Sequence, residues 1–331
     1  MRIAKKTIFC MTMIFISFNV MSQSVAVECN TALKHLNEGR NSGNLKTIAT
    51  AINVFKTTAN CSDNSVNVAL TQTAAILAQQ AQAAIETGDL DTAEKLLSAA
   101  PASHWLVQVS RADIAAKRDN RAEAAELYNA SLDTILDPTL TPNSDKLGDF
   151  AKQIAMLAQE NTMLAGATAD TISRSDGRAT GIYGALSRGL SFVPNKKAAN
   201  DYNPPVDKVV YENRPVKSTY IPIKFATNSD HLDHLGKREA LKLAKFINSY
   251  HIKVIHLIGH TDERGSIDFN QNLSERRAHS LKLFLQTEGQ VVANIITSGR
   301  GEKELPVLSD YTIYNVEQRQ AIARRVEMAL E

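Results

Sequence analysis

Between Ser173 and Pro222 the chain carries Gly177, Gly181, Gly184, Gly189, Pro194, Pro204, Pro205 and Pro215. Glycine loosens the backbone and proline removes an amide donor, so regular elements break at that density. A chain of 331 residues also exceeds the roughly 250–300 at which a single core stops growing. The stretch therefore predicts two folded parts of different make-up joined by a linker. It holds eight Lys/Arg against four Asp/Glu. That net charge suits a solvated tether, or a segment lying on an anionic surface such as wall polymer or lipid headgroups. Over the whole chain the formal charge is only +2, which argues against a protein built around phosphate neutralisation, so nucleic acid is not an expected partner.

The first residues read as a targeting segment. Arg2, Lys5 and Lys6 precede an apolar run from Thr7 to Met21, and Ser24-Val25-Ala26 offers small residues before a cleavage point. A secretory signal over 1–26 is the expectation, with an uncleaved anchor helix as its alternative. Cleavage leaves two cysteines, Cys29 and Cys61. Export brings them into an oxidising compartment, where an even thiol count predicts one disulfide rather than two buried thiols.

From Cys29 to about Ala165 the chain is rich in Ala, Leu, Gln and Glu. Val66, Ala69, Leu70, Thr73, Ile76, Leu77, Ala81, Ala84 and Ile85 recur at helical spacing. Gly88-Asp89 closes that helix, Asp89 or Asp91 caps the next, and Pro101 stops it. Gly88-Asp89-Leu90-Asp91-Thr92-Ala93 is echoed by Asp119-Asn120-Arg121-Ala122-Glu123-Ala124, and more faintly by Gly43-Asn44-Leu45-Lys46-Thr47-Ile48. Each echo joins one helix to a second helix of small residues. The pattern resembles tetratricopeptide-type repeats in its turn and its alanine, while the aromatic first-helix signature of that family is poor and the repeat lengths are irregular. A generic helical bundle is the alternative. Either arrangement is suited to binding partner segments, and Trp105 and Tyr128 read as packing residues.

Beyond the linker, strands alternate with helices. Tyr220 to Phe225 reads as a strand, Asp230 caps a helix ending near Tyr250, and Ile252 to Ile258 is a buried strand. Gly259-His260-Thr261-Asp262 turns the chain. Ser274 to Thr287 is a helix, Val291 to Thr297 a strand, Val316 to Ala323 a helix, and Arg324 to Leu330 a last strand. The sum is a compact α/β sandwich.

The ordered set formed by the strand ending in Phe225, Ile258-Gly259-His260-Thr261-Asp262 with Gly265, Asn270-x-x-Leu273-Ser274-x-x-Arg277-Ala278, Gly299-x-Gly301-Glu302 with Pro306, and Arg324-Arg325-Val326-Glu327 resembles the OmpA-like peptidoglycan-binding domain. The likeness covers about a third of the chain. It departs at Ala226, Ala323 and the three residues between Glu302 and Pro306. The resemblance implies an α/β sandwich with a mixed sheet over 218–331. It follows a helical, tetratricopeptide-like domain over 27–165 and a linker over 166–217. It also implies that Asp262 and Arg277 grip diaminopimelate in the peptidoglycan stem peptide. Such a ligand side chain ends in an ammonium and a carboxylate, so one anion beside one cation is apt chemistry. A plain structural Asp–Arg pair is the alternative. Asn270 is expected to orient the loop or bond the ligand, and Thr227 and Asn228 to border the pocket.

Six of the eight histidines lie in this last part, and His231, His234, His256 and His260 invite a metal, but no cysteine or carboxylate completes a tetrahedral set. Neither metal nor cofactor is expected. Before the linker only His35 and His104 occur, without a catalytic motif. The expectation is thus a non-catalytic, exported cell-envelope protein of the periplasm, associating with the outer membrane. It would hold peptidoglycan with one domain and an envelope protein with its helices. A component of a secretion or motility machine anchored by the same domain is the alternative. A wall hydrolase targeted by it is the third reading and lacks a visible constellation.

Overall fold

The computed structural model describes residues 27–58, 61, 64–141, 147–166, 178–187, 218–226 and 228–330. The stretch read as a signal segment, most of the stretch read as a linker, and Thr227 lie outside the described residues. Two compact units divide between Ile114 and Ala115. No described helix is long and apolar enough to cross a membrane.

The first unit is helical: α1 (27–42), α2 (Leu45–Thr57), α3 (Asn64–Thr87), α4 (Leu90–Ser98) and the start of α5 (Trp105–Lys117). Its core joins Leu36, Ile48, Leu77, Ile85, Leu97 and Val107 with small residues such as Ala74, Ala81 and Ala93. Cys29 and Cys61 are disulfide-bonded, with their Cα atoms 5.6 Å apart, which fastens α1 to the connection before α3. Trp105 is buried, as is Tyr128 in the second unit.

The echoed turns share one local geometry. Gly43, Gly88 and Asp119 all take the left-handed backbone, with φ of 69°, 83° and 58°. The next residue in each case, Asn44, Asp89 or Asn120, caps the following helix by accepting the amide of Thr47, Thr92 or Glu123. A left-handed residue followed by an Asx cap ends one helix and starts the next within two positions, so a recurring hexapeptide produces a recurring turn.

The second unit begins with α6 (Arg121–Ile135), α7 (Gly148–Ala165) and α8 (Gly181–Ser187). Helix α8 lies in the glycine-rich stretch read as linker. Its first amides, of Gly181 and Ile182, donate to Asp133 and Asn129 of α6 at 2.8 Å each. Capping from a neighbouring helix thus offsets the low helix propensity of glycine.

The α/β part holds β1 (Ser218–Ile221), α9 (His234–Ser249), β2 (Val254–Gly259), α10 (Ile267–Thr287), β3 (Asn294–Gly299), α11 (Val316–Ala323) and β4 (Val326–Leu330). The strands form one mixed sheet in the order β1-β4-β2-β3. β2 and β3 are parallel, and β4 runs antiparallel to β2 and to β1. Leu243, Phe246, Ile247, Ile255, Leu257, Leu281, Leu285 and Met328 are buried in this unit.

Several boundaries differ from the sequence reading. The first strand stops at Ile221, because Pro222 has no amide to donate to a ladder; Phe225 keeps only an isolated bridge to Leu232. Helix α9 begins at His234, capped by Asp233 rather than Asp230. Helix α10 begins two turns earlier than read, at Ile267, where the Ser266 hydroxyl accepts the Phe269 amide. Asn270 is therefore a helical residue.

A charged pocket beyond the end of the parallel strands

Two glycines set the site. Gly259 and Gly299 end β2 and β3 and are register partners. A Cβ on Gly259 would lie 2.1 Å from the Ser274 carbonyl oxygen, and one on Gly299 would lie 2.4 Å from the Ser274 hydroxyl. Helix α10 can cross this close only because both side chains are absent. The Ser274 hydroxyl then accepts the Gly301 amide at 2.9 Å, and the Gly301 carbonyl accepts the Thr261 amide at 2.9 Å. The loop carrying Asp262 is thus tied to the loop after β3.

Asn270 completes the brace. It is buried and its amide donates to the carbonyls of Asp262 and Arg264 at 3.2 and 3.1 Å, and to the Glu302 carboxylate. His260 is buried beside Glu327, 3.3 Å away. Glu327 also takes the buried Arg325 at 2.7 Å, whose guanidinium lies 4.9 Å from the centre of the Tyr220 ring.

Asp262, Asn270, Arg277 and Asn228 line one cavity of about 590 Å³, together with Phe225, Arg264, Phe269 and Arg324. Asp262 and Arg277 are not paired with each other. The Asp262 carboxylate takes Arg264 through Nε at 3.1 Å and Nη2 at 2.6 Å, and also Arg324. All three contacts reach Oδ2. Oδ1 accepts the Arg264 amide at 3.1 Å, which leaves it a lone pair for a further donor. Burial works against the charge on Asp262, but the hydrogen bonds from Arg264 and Arg324 outweigh it and hold the carboxyl below the usual carboxylate range.

Arg277 sits about three turns into α10 and is 7% exposed. Its Nε donates to the Ser229 carbonyl at 3.0 Å, and its guanidinium lies 5.1 Å from the Phe225 ring centre. Burial, then the neighbouring Arg324, pull its pKa below the ordinary arginine value, while Asp262 opposes them. Asn228 stands at the rim with φ of 52°, a left-handed backbone that asparagine tolerates. Thr227 lies outside the described residues. The sequence reading missed Arg264 and Arg324 as partners of Asp262. The one visible sign was their position, two residues after Asp262 and at the head of the Arg-Arg-Val-Glu segment.

Chemically the pocket is one restrained carboxylate among three guanidinium groups, set in a partly apolar wall. It suits a small zwitterion or an anion with an ammonium nearby, held without covalent chemistry. Fold and site together define the class: a mixed α/β sandwich with a pre-formed charged pocket. Residues 224–319 match the OmpA family. The chain is 30% identical over 152 residues to outer membrane protein A of Bordetella avium, covering 46% of this chain and 70% of that protein. It therefore belongs to the OmpA family. It is also similar to the outer-membrane lipoprotein YfiB of Pseudomonas aeruginosa, at 34% identity over 90 residues, 27% of this chain and 53% of that one. To outer membrane porin F of Pseudomonas fluorescens it is 37% identical over 89 residues, 27% of this chain and 26% of the relative. The chain thus spans about half or less of the length of those last two relatives.

Proposed function

We propose that this chain is a non-catalytic envelope protein that binds peptidoglycan through the diaminopimelate of its stem peptide. In this reading it is exported to the periplasm and works at the outer membrane, and the hairpins of its first unit receive an envelope protein. The observation that carries the reading is the convergence of Asp262 and Arg277 on one pocket without an ion pair between them. A structural pair would satisfy itself, whereas these two groups face a common space with Arg264 and Arg324. Oδ1 of Asp262 is the acceptor for the ligand ammonium. Arg277, already oriented by Ser229 and Phe225, presents its remaining N–H groups to the ligand carboxylate. Asn270 supports the loop, and Asn228 belongs to the rim. Family membership favours the same assignment.

The test is a sacculus pull-down with thermal melts for the wild type, Asp262→Ala, Arg277→Ala and Arg277→Lys. A charge-assisted contact is worth roughly 1.5–3 kcal/mol, so each alanine variant should lose about ten- to a hundredfold in affinity. Arg277→Lys keeps charge but loses the planar fork and should also bind less. Arg277→Ala is the more direct comparison, because Asp262→Ala additionally leaves Arg264 and Arg324 facing each other. Unchanged wall binding by folded Arg277→Ala would overturn the assignment.

A further inference from the structure

The pocket has a wall that the family match does not include. Met163 and Leu164, on the last turn of α7, line it beside Phe225 and Phe269, whereas the matched segment begins at residue 224. The helix is anchored rather than resting there. Gln159 accepts the Tyr220 amide at 2.8 Å. The Glu160 carboxylate takes the Ser309 hydroxyl at 2.6 Å and the Tyr314 hydroxyl at 2.7 Å. Met163 is buried in a cluster with Leu308, Tyr314 and Ile322, against which the partly buried Leu164 packs. Just past the helix, Gly166 has φ of 74°, and a Cβ there would fall 2.2 Å from the Lys224 ammonium; Lys224 also lines the pocket. The end of α7 is therefore held against the same loop that carries Phe225.

We propose that this last turn of α7 is the apolar wall of the binding site, and that Leu164 contacts the aliphatic chain of the bound diaminopimelyl residue. The inference rests on the diaminopimelate reading. That ligand has charged ends joined by methylene groups. Asp262, Arg264, Arg277 and Arg324 supply the charge, and methylenes gain only from apolar surface that leaves water with them. Leu164 is half-buried, so part of its side chain is free to be covered by a ligand. Met163 holds the turn in place from the core side. The specificity of the site for the length and apolarity of the ligand chain is thus set by a residue distant in sequence from the charged residues.

The experiment is calorimetric titration of the full-length protein with a synthetic stem tripeptide ending in diaminopimelate, run with thermal melts. Wild type, Leu164→Ala, Leu164→Gln, Leu164→Met and Arg277→Ala are compared. Removing the buried methyl surface should weaken binding about three- to tenfold in Leu164→Ala. Leu164→Gln, which keeps the length but brings polar atoms to the wall, should weaken it at least as much, and Leu164→Met should bind like wild type. The melts should move little, since Leu164 is only partly in the core. If all three Leu164 variants bind like wild type while Arg277→Ala is weakened, the α7 wall is rejected and the diaminopimelate reading stands. If the wild type itself shows no saturable binding to this peptide, the diaminopimelate reading fails and takes the wall with it. Should Leu164→Ala melt early, the comparison of Leu164→Gln with Leu164→Met at a temperature where both are folded decides the matter.

Discussion

Arg324 and Arg325 are chemically identical neighbours with opposite fates. Arg324 opens into the pocket and pairs with Asp262, while Arg325 is 1% exposed and closes on Glu327. Arg324 sits in the tight turn that ends α11, where the Arg325 amide donates to the Ala323 carbonyl at 2.9 Å, whereas Arg325 leads directly into β4, so the turn sends the two side chains to different partners. Glu160 is the corresponding case on α7. Burial pushes its carboxyl up to about 7 against an ordinary 4.5, although donors from Ser309 and Tyr314 favour its charge, and nearby Asp310 opposes it. Between those two pH values the folded chain keeps a proton that the unfolded chain releases. Its contribution to stability is therefore largest below about pH 4.5 and declines as pH rises to 7, by roughly 3 kcal/mol. Chemical denaturation from pH 4.5 to 7.5 should show this decline in the wild type and a flatter profile in Glu160→Gln. A wild-type profile already as flat as that of Glu160→Gln would reject the raised carboxyl.

Among the elements, what was legible in the sequence is what short-range chemistry controls. The caps at Asn44, Asp89 and Asn120 follow from residue type, and Val316–Ala323 is the helix the sequence predicts, with a capping box from Asn315 and Gln318. The start of α10 was misread because Ile267, Asp268 and Phe269 form no apolar stripe; the Ser266 cap decides it instead. Helix α8 was illegible because its caps come from α6, more than forty residues away in sequence. The disulfide was legible from compartment and parity. It closes a separation of 32 residues, which in the chain-entropy model stabilises by roughly 3–4 kcal/mol. Cys29→Ser should therefore lower the denaturation midpoint of the helical first unit and leave the second unit unaffected. Protein recovered from an oxidising compartment should take up alkylating reagent at neither cysteine until a reductant is added. Labelling of both thiols without reductant would contradict the pairing.

At the scale of the whole molecule, the composition places its break at the Gly/Pro stretch, whereas packing divides the chain between Ile114 and Ala115. Helices α6 and α7 belong with the sheet by their contacts, with Glu160 and Met163 tying α7 to the segment around Leu308 and Tyr314. A fragment of residues 115–331 should accordingly melt as one cooperative unit and hold sacculi like the full chain. One starting at Ser218 loses the α7 side of that cluster, uncovering Leu308, Tyr314 and Ile322, and should melt earlier and bind less. Equal melting temperatures for the two fragments would show that α7 adds nothing to this unit.

The order of the motifs from Phe225 to Glu327, through its resemblance to the OmpA-like domain, was enough to predict the α/β sandwich and to single out Asp262, Asn270 and Arg277, which the fold brings to one pocket. Each motif encodes a local necessity: a glycine where a helix crosses a strand end, a cap where a helix starts, a charge at a loop. The pairing inside the pocket was a different matter. Asp262 chose Arg264 and Arg324 over Arg277 because the brace from Asn270 and the Ser229 carbonyl orient the two groups apart. The apolar wall from α7 was likewise decided by packing alone, since contacts between residues some sixty to a hundred and fifty apart leave no periodicity or spacing to read. Local chemistry is written along the chain, whereas the faces that meet across a core depend on shape and volume summed over many residues.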